Sequence, residues 1–170
     1  DPAHYITATG ETCPNYDGQP GRDVIRILSP EGVECDAFPA CDFRDHLRFE
    51  ETDYSYAGRT SYRGHVMRAN SLARMNMTDN LGTPRADRYL RRFRETFGHP
   101  AHAILLFDLG RGIELVYALE RAMEVLEEPL DRGQTAVPHT PRDGEGYGLV
   151  EAPRGPLIHH YSIENGVIAD

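Results

Sequence analysis

The protein has 170 residues, the size of one domain and at most two. Its 18 Lys and Arg against 27 Asp and Glu give a net charge of −9, which excludes a general binder of nucleic acid or anionic membrane, because phosphates repel such a surface. With 39% hydrophobic residues, nine Tyr and six Phe the chain is too apolar for a disordered tail, and no apolar run approaches the ~18 residues of a membrane span.

The first 22 residues are rich in Thr, Gly, Pro and Asp and read as irregular. Val24–Leu28 is β-branched and apolar, Val33 opens a second short strand, and Ser29-Pro30-Glu31-Gly32 between them has the residues of a tight hairpin turn. From Phe38 to Tyr56 no periodicity is sustained, so a loop is expected, with a short helix near Asp42–Phe49. A further short strand is expected at Tyr62–Met67. Ser71–Met77 is partly buried and of either type.

Thr83-Pro84 then looks like an N-cap followed by proline at the first helical position. Ala86, Tyr89, Leu90, Phe93 and Phe97 fall on one face and Gly98 ends the run, so a helix is predicted over 84–97. A longer helical pattern covers 101–127. Its apolar stripe is Ile104, Leu105, Leu109, Ile113, Val116, Leu119, Met123 and Leu126, and Pro129 follows it. Gly110 and Gly112 each cost that helix about 1 kcal/mol relative to Ala, so they mark either a close backbone approach or a break. Residues 131–146 read as loop. Leu149–Glu151 and Leu157–Ile163 read as strands on either side of a Pro-Arg-Gly-Pro corner, and Asn165-Gly166 as a two-residue hairpin turn before Val167-Ile168. A returning strand that stops so soon, and an opening Asp1-Pro2-Ala3 without methionine, suggest an excerpt or processed product.

Few residues suggest chemistry by type and spacing alone. The three cysteines, Cys13, Cys35 and Cys41, are odd in number and form no C-x-x-C, so a reducing compartment is the simpler reading. Cys41 reads as a buried small hydrophobe. Arg85, Arg88, Arg91, Arg92 and Arg94 are interleaved with Asp87 and Glu95 and read as a solvated or interface face. His99 and His102, three apart, and the adjacent His159 and His160 match no zinc pattern; on a strand, adjacent side chains point to opposite faces, so one of the last pair should be buried and hydrogen-bonded and the other exposed. Arg154 differs. Pro153 and Pro156 stiffen the backbone around it and Gly155 pinches it, a corner suited either to aiming a permanently charged guanidinium or to satisfying strand-end carbonyls.

Glu151-Ala152-Pro153-Arg154-Gly155-Pro156-Leu157-Ile158-His159-His160-Tyr161 closely resembles the E-A-P-R-G-x-L-x-H motif of nickel-iron hydrogenase large subunits, with a His-His-Tyr ending like that of the cytoplasmic, NAD-, F420- or viologen-linked branch. Ala69–Met77 is similar to the G-P-L-A-R-L-N-V segment of that branch, and the helix after Thr83-Pro84 and the Arg111…Glu114 region follow in the family's order. The resemblance covers about residues 20–170, so that 1–170 is a single domain or fragment whose residues 23–170 are hydrogenase-like. It implies an α+β fold of two adjacent helices flanked by small antiparallel hairpins, part of a larger large-subunit fold.

It further implies reversible heterolytic cleavage of H2 at a nickel-iron centre with cyanide and carbon monoxide on iron, and transfer of electrons to an iron–sulfur small subunit. Partners would be that subunit, the remaining parts of the large subunit and H2. The family's two C-x-x-C pairs are not in this sequence, so no metal ligand is implied within it. By resemblance Arg154 is the candidate catalytic residue, over the open coordination position, as a fixed cation or, less easily, as a base. Pro153 shapes the pocket and His159 supports it. The rival reading is a truncated, non-catalytic structural or assembly module related to these subunits.

Overall fold

The computed structural model describes residues 3–8, 24–129, 133, 136, 138 and 140–169. Along the chain run β1 (His4–Ala8), β2 (Val24–Leu28), β3 (Glu34–Pro39), a 3-10 turn (Ala40–Asp42), α1 (Phe43–His46), β4 (Leu47–Thr52), β5 (Ser55–Tyr62), β6 (His65–Arg68), α2 (Asn70–Met77), α3 (Pro84–Phe97), α4 (Leu106–Glu127), β7 (Gly144–Ala152), β8 (Gly155–Glu164) and β9 (Val167–Ile168). The class is α+β as expected, but with four helices, and with sheets larger than isolated hairpins.

Six strands form one sheet in the order β3-β2-β1-β6-β5-β4, and β7-β8-β9 form a second. The β2–β3 hairpin forms around the Ser29–Gly32 turn, where Ser29 Oγ accepts from the Glu31 and Val33 amides at 3.2 and 3.4 Å. The centre of the larger sheet is β1, antiparallel to β2 with Tyr5 opposite Leu28 and parallel to β6 with His4 opposite Met67. This corrects the irregular reading of residues 1–22 at His4–Ala8. Composition there is dominated by the turn-forming residues that come after it, while Tyr5, Ile6 and Thr7 suit a strand buried on both faces. Cys13 and the rest of that segment lie outside the described residues.

The alternation along β1 and β2 separates two cores. Tyr5 and Leu28 face Leu72, Met75, Leu90, Phe93 and Ile113 of the helices, whereas Ile6, Ile25 and Ile27 face Phe38, Leu47 and Tyr62, with Leu149 and Ile158 of the β7–β8 hairpin against them. The region read as loop, 38–56, contains β4 and the start of β5. Its strands carry exposed charges and aromatics, Phe49, Tyr54 and Tyr56 among them, so no buried face imposes an alternation. Asp36 fastens this side: its carboxylate accepts from Tyr62 Oη at 2.9 Å and lies 3.0 Å from His46 Nδ1.

The three longer helices pack together through α4, which touches both α2 and α3. The Ser71–Met77 segment lies within α2, and α3 has the bounds expected of it. Thr83 holds the N-cap position of α3 without a side-chain cap bond; Glu120 of α4 instead accepts from the Arg85 and Ala86 amides at 3.1 and 3.0 Å. Arg94 departs from the solvated Arg face: half-buried, it donates to the Met75 carbonyl at 2.8 Å and to that of Thr78, closing the end of α2. The last helix begins at Leu106, not near 101.

Gly110 of α4 is a close-approach glycine, since a Cβ there would lie 3.0 Å from Ser71 Cβ, whereas Gly112 faces open space. Only Gly110 and Ile113 of α4 are buried; Leu109, Leu115, Leu119, Met123 and Leu126 are exposed, the last at 84%. No described helix is long and apolar enough to cross a membrane.

Candidate functional site

The conspicuous corner of the sequence is the turn between β7 and β8. These strands pair antiparallel from Gly144 opposite Ile163 to Ala152 opposite Gly155, which leaves Pro153 and Arg154 as the two turn residues. Gly155 has φ +127°, and a Cβ on it would lie 2.4 Å from Ala69 Cβ, so only glycine lets the turn settle on the start of α2.

Beneath the turn lies the most densely hydrogen-bonded side chain of the described residues, Arg74 of α2. Its Nε donates to Glu114 Oε1 and its Nη2 to Glu114 Oε2 at 2.9 Å, a fork-to-carboxylate pair between α2 and α4. Nη1 donates to Glu151 Oε1 at 2.6 Å and to the Ala152 carbonyl at 3.1 Å, and Nη2 to the Pro153 carbonyl at 3.0 Å. Ser71 Oγ donates to Glu114 Oε2 at 2.7 Å, and Glu151 Oε2 accepts from the Ala8 amide at 2.7 Å. One guanidinium thus joins β7 to both helices, and through Glu151 to the end of the central strand.

The side chains of Arg74 and Glu151 are only 18% and 14% exposed. Burial opposes the Arg74 charge, but the Glu114 and Glu151 carboxylates outweigh it and raise its pKa above the ordinary value. Burial pushes the Glu151 carboxyl above the usual carboxylate range, and the negative Glu114 adds to it, against the pull of the Ala8 amide and Arg74. Two carboxylates share one cation, and the more deeply buried one is under-compensated.

The candidate residues themselves separate. Arg154 and Pro153 are exposed at the turn, and Arg154 makes no hydrogen bond or ion pair with the described residues. His159 is exposed and pairs through Nδ1 with Tyr161 Oη at 2.8 Å, on the opposite strand face from His160. His160 is 10% exposed and stacks on Tyr147 with ring centroids 4.4 Å apart. Its Nδ1 lies 3.4 Å from Arg44 Nη2, but its Nε2 is buried without a hydrogen bond, so the expected satisfied histidine is only half satisfied.

Two open grooves are present. One, of about 470 Å³, lies between α3 and α4 and is lined by Phe93, Phe97, Leu109 and Val116. The other, of about 450 Å³, lies along the β7–β8 hairpin beside Tyr147, His159 and Tyr161. Neither is lined by Arg154.

Metal-ligand chemistry is sparse. Cys41 is exposed rather than buried, because the 3-10 turn directs only Ala40 inward, and Cys35 is exposed on β3. His99 and His102 serve the fold, with His99 Nε2 2.9 Å from the Asn76 carbonyl and His102 Nδ1 2.7 Å from Tyr5 Oη. Among the described residues no three His, Cys, Asp or Glu side chains converge on one point. Soft thiolate ligands for a nickel or iron site are not brought together by them.

The family profile "Nickel-dependent hydrogenase" matches residues 4–170. The chain belongs to the nickel-dependent hydrogenase family. Among curated relatives it is 35% identical over 153 residues to the vhu F420-non-reducing hydrogenase of Methanococcus voltae, covering 86% of this chain and 36% of the relative. It is 36% identical over 162 residues to NAD-reducing hydrogenase HoxS subunit beta of Cupriavidus necator, covering 88% and 32%. A crystal structure of an NAD+-reducing [NiFe]-hydrogenase in the H2-reduced state superposes with a TM-score of 0.64 at 26% identity, over 98% of this chain and 38% of that one.

The chain therefore spans about a third of the length of the hydrogenases it matches. The family is nickel-dependent, and the described residues do not themselves assemble a ligand set for such a centre. What the family's E-A-P-R-G corner has here is a mount: Glu151, Arg74 and Glu114 come from three separate stretches of the hydrogenase chain and meet under it.

Proposed function

We propose that this chain is a segment of the large subunit of a nickel-iron hydrogenase, which converts H2 reversibly into two protons and two electrons and passes the electrons to an iron–sulfur small subunit. The nickel-iron centre, with cyanide and carbon monoxide on its iron, supplies the redox chemistry when bound by cysteines elsewhere in the large subunit. This segment contributes residues beside it, in a cytoplasmic complex.

One observation carries the reading: the corner bearing Arg154 is clamped from below, while the Arg154 side chain is left exposed and unengaged among the described residues. A guanidinium satisfying strand-end carbonyls would lie back on the hairpin; here Arg74 fills that role. Arg154 is free to present a fixed positive charge to hydrogen as its bond polarises, which lowers the cost of the negative charge that develops. Pro153 sets the direction from which Arg154 approaches, and His159 lends support from β8. The exposed apolar residues of α4 are covered, in this reading, by the remaining polypeptide of the large subunit, since a helix apolar on most sides belongs in a core.

The test is Arg154→Lys in the intact hydrogenase. Lysine keeps the charge but lacks the planar fork, so hydrogen turnover should fall about 10- to 100-fold with nickel and iron content retained. Unaltered turnover at full metal loading would instead fit a non-catalytic module.

A further inference from the structure

We infer that Arg74 is a positioning residue for Arg154, acting through the backbone of the turn; the inference rests on the reading of Arg154 proposed above. No side chain among the described residues holds Arg154, so its direction is set by the peptide groups on either side of it. Both peptides that precede it are fixed by one group. Arg74 Nη1 takes the Ala152 carbonyl at 3.1 Å and Nη2 the Pro153 carbonyl at 3.0 Å, so the two terminal nitrogens of one planar fork hold consecutive peptide planes. On the far side Gly155 is seated against Ala69, at the start of the helix that carries Arg74. The turn and its clamp are thereby referenced to a single element.

The fork cannot itself swing. Glu114 takes Nε and Nη2 together, Glu151 takes the remaining Nη1 direction, and Ser71, which donates to Glu114, is within 3.4 Å of Nη2. Lysine at position 74 would supply a charge and three donors from one point. It cannot span two carbonyls and two carboxylates in one plane. A displacement of about 1 Å in a group that must meet a reacting atom is enough to cost about 100-fold in rate.

A residue that merely staples α2, α4 and β7 together would look the same in these distances. The two differ in whether the effect passes through Arg154, which a double-mutant cycle reads. In the intact hydrogenase, with turnover normalised to nickel content, Arg74→Lys should lower kcat about tenfold while KM for H2 stays within twofold, the pattern of an interaction made in the transition state. Combined with Arg154→Ala, the same substitution should add less than a further twofold. Glu114→Gln, which keeps the shape of the carboxylate but loosens the fork, should repeat the pattern if Arg74→Lys fails to assemble. A tenfold loss that persists in the Arg154→Ala background, or a loss carried in KM with kcat retained, overturns the positioning role. If Arg154→Ala alone leaves turnover intact at full nickel loading, the proposal for Arg154 fails first, and it fails separately.

Discussion

Arg74, Glu114 and Glu151 are ordinary residues one at a time. Arg74 and Glu151 are 77 positions apart, and Arg74 and Glu114 are 40 apart. Nothing in local spacing announces that they meet, although each lies in a stretch with a recognisable hydrogenase pattern, and the coincidence of an acid in one block with a base in another was the available signal. Their electrostatics yield a pH dependence of definite sign. Burial raises the Glu151 pKa in the folded protein, so below the unfolded value of about 4.3 the group is neutral in both states and the penalty vanishes. As pH rises through the folded value, stability is lost. Glu151→Gln keeps an acceptor for the Ala8 amide and Arg74 but never ionises. Its stability relative to the parent should therefore improve as pH is raised from about 4 to about 7, in urea unfolding at each pH; the reverse trend would show that the Arg74 bridge outweighs burial.

Elements with a strong local pattern were legible. For α3, an apolar face at helical spacing between Thr83-Pro84 and Gly98 defines both bounds, and the Asn165-Gly166 turn forms where its dipeptide requires it. Elements whose pattern depends on distant neighbours were not. The strand β1 is five residues long and is stabilised by β2 and β6, while β4 and β5 are too exposed to alternate. The two glycines of α4 show how much the surroundings decide. Gly112→Ala fills open space within a helix and should raise stability by about 1 kcal/mol. Gly110→Val drives a branched side chain into Ser71 and Met75 of α2 and should cost about 1–3 kcal/mol. Equal effects at the two positions, measured from denaturant midpoints, would contradict the α2–α4 packing described.

At the scale of the whole molecule, the sequence pointed to the corner and its family but not to what faces the corner. A six-stranded mixed sheet is sandwiched between helices and the β7–β8 hairpin, and the Arg74 cluster lies where those layers meet. The surfaces left open are the turn bearing Arg154 and the apolar flank of α4. A chain spanning a third of its relatives has those surfaces where further polypeptide would pack.

The most direct measurement of the central claim is the position of nickel relative to Arg154, located by anomalous scattering at the nickel edge in crystals of the intact hydrogenase. The account predicts a nickel peak close enough to the Arg154 guanidinium for its charge to act, within about 6 Å. A peak beyond the reach of that side chain, or on the other side of the sheet, would contradict it.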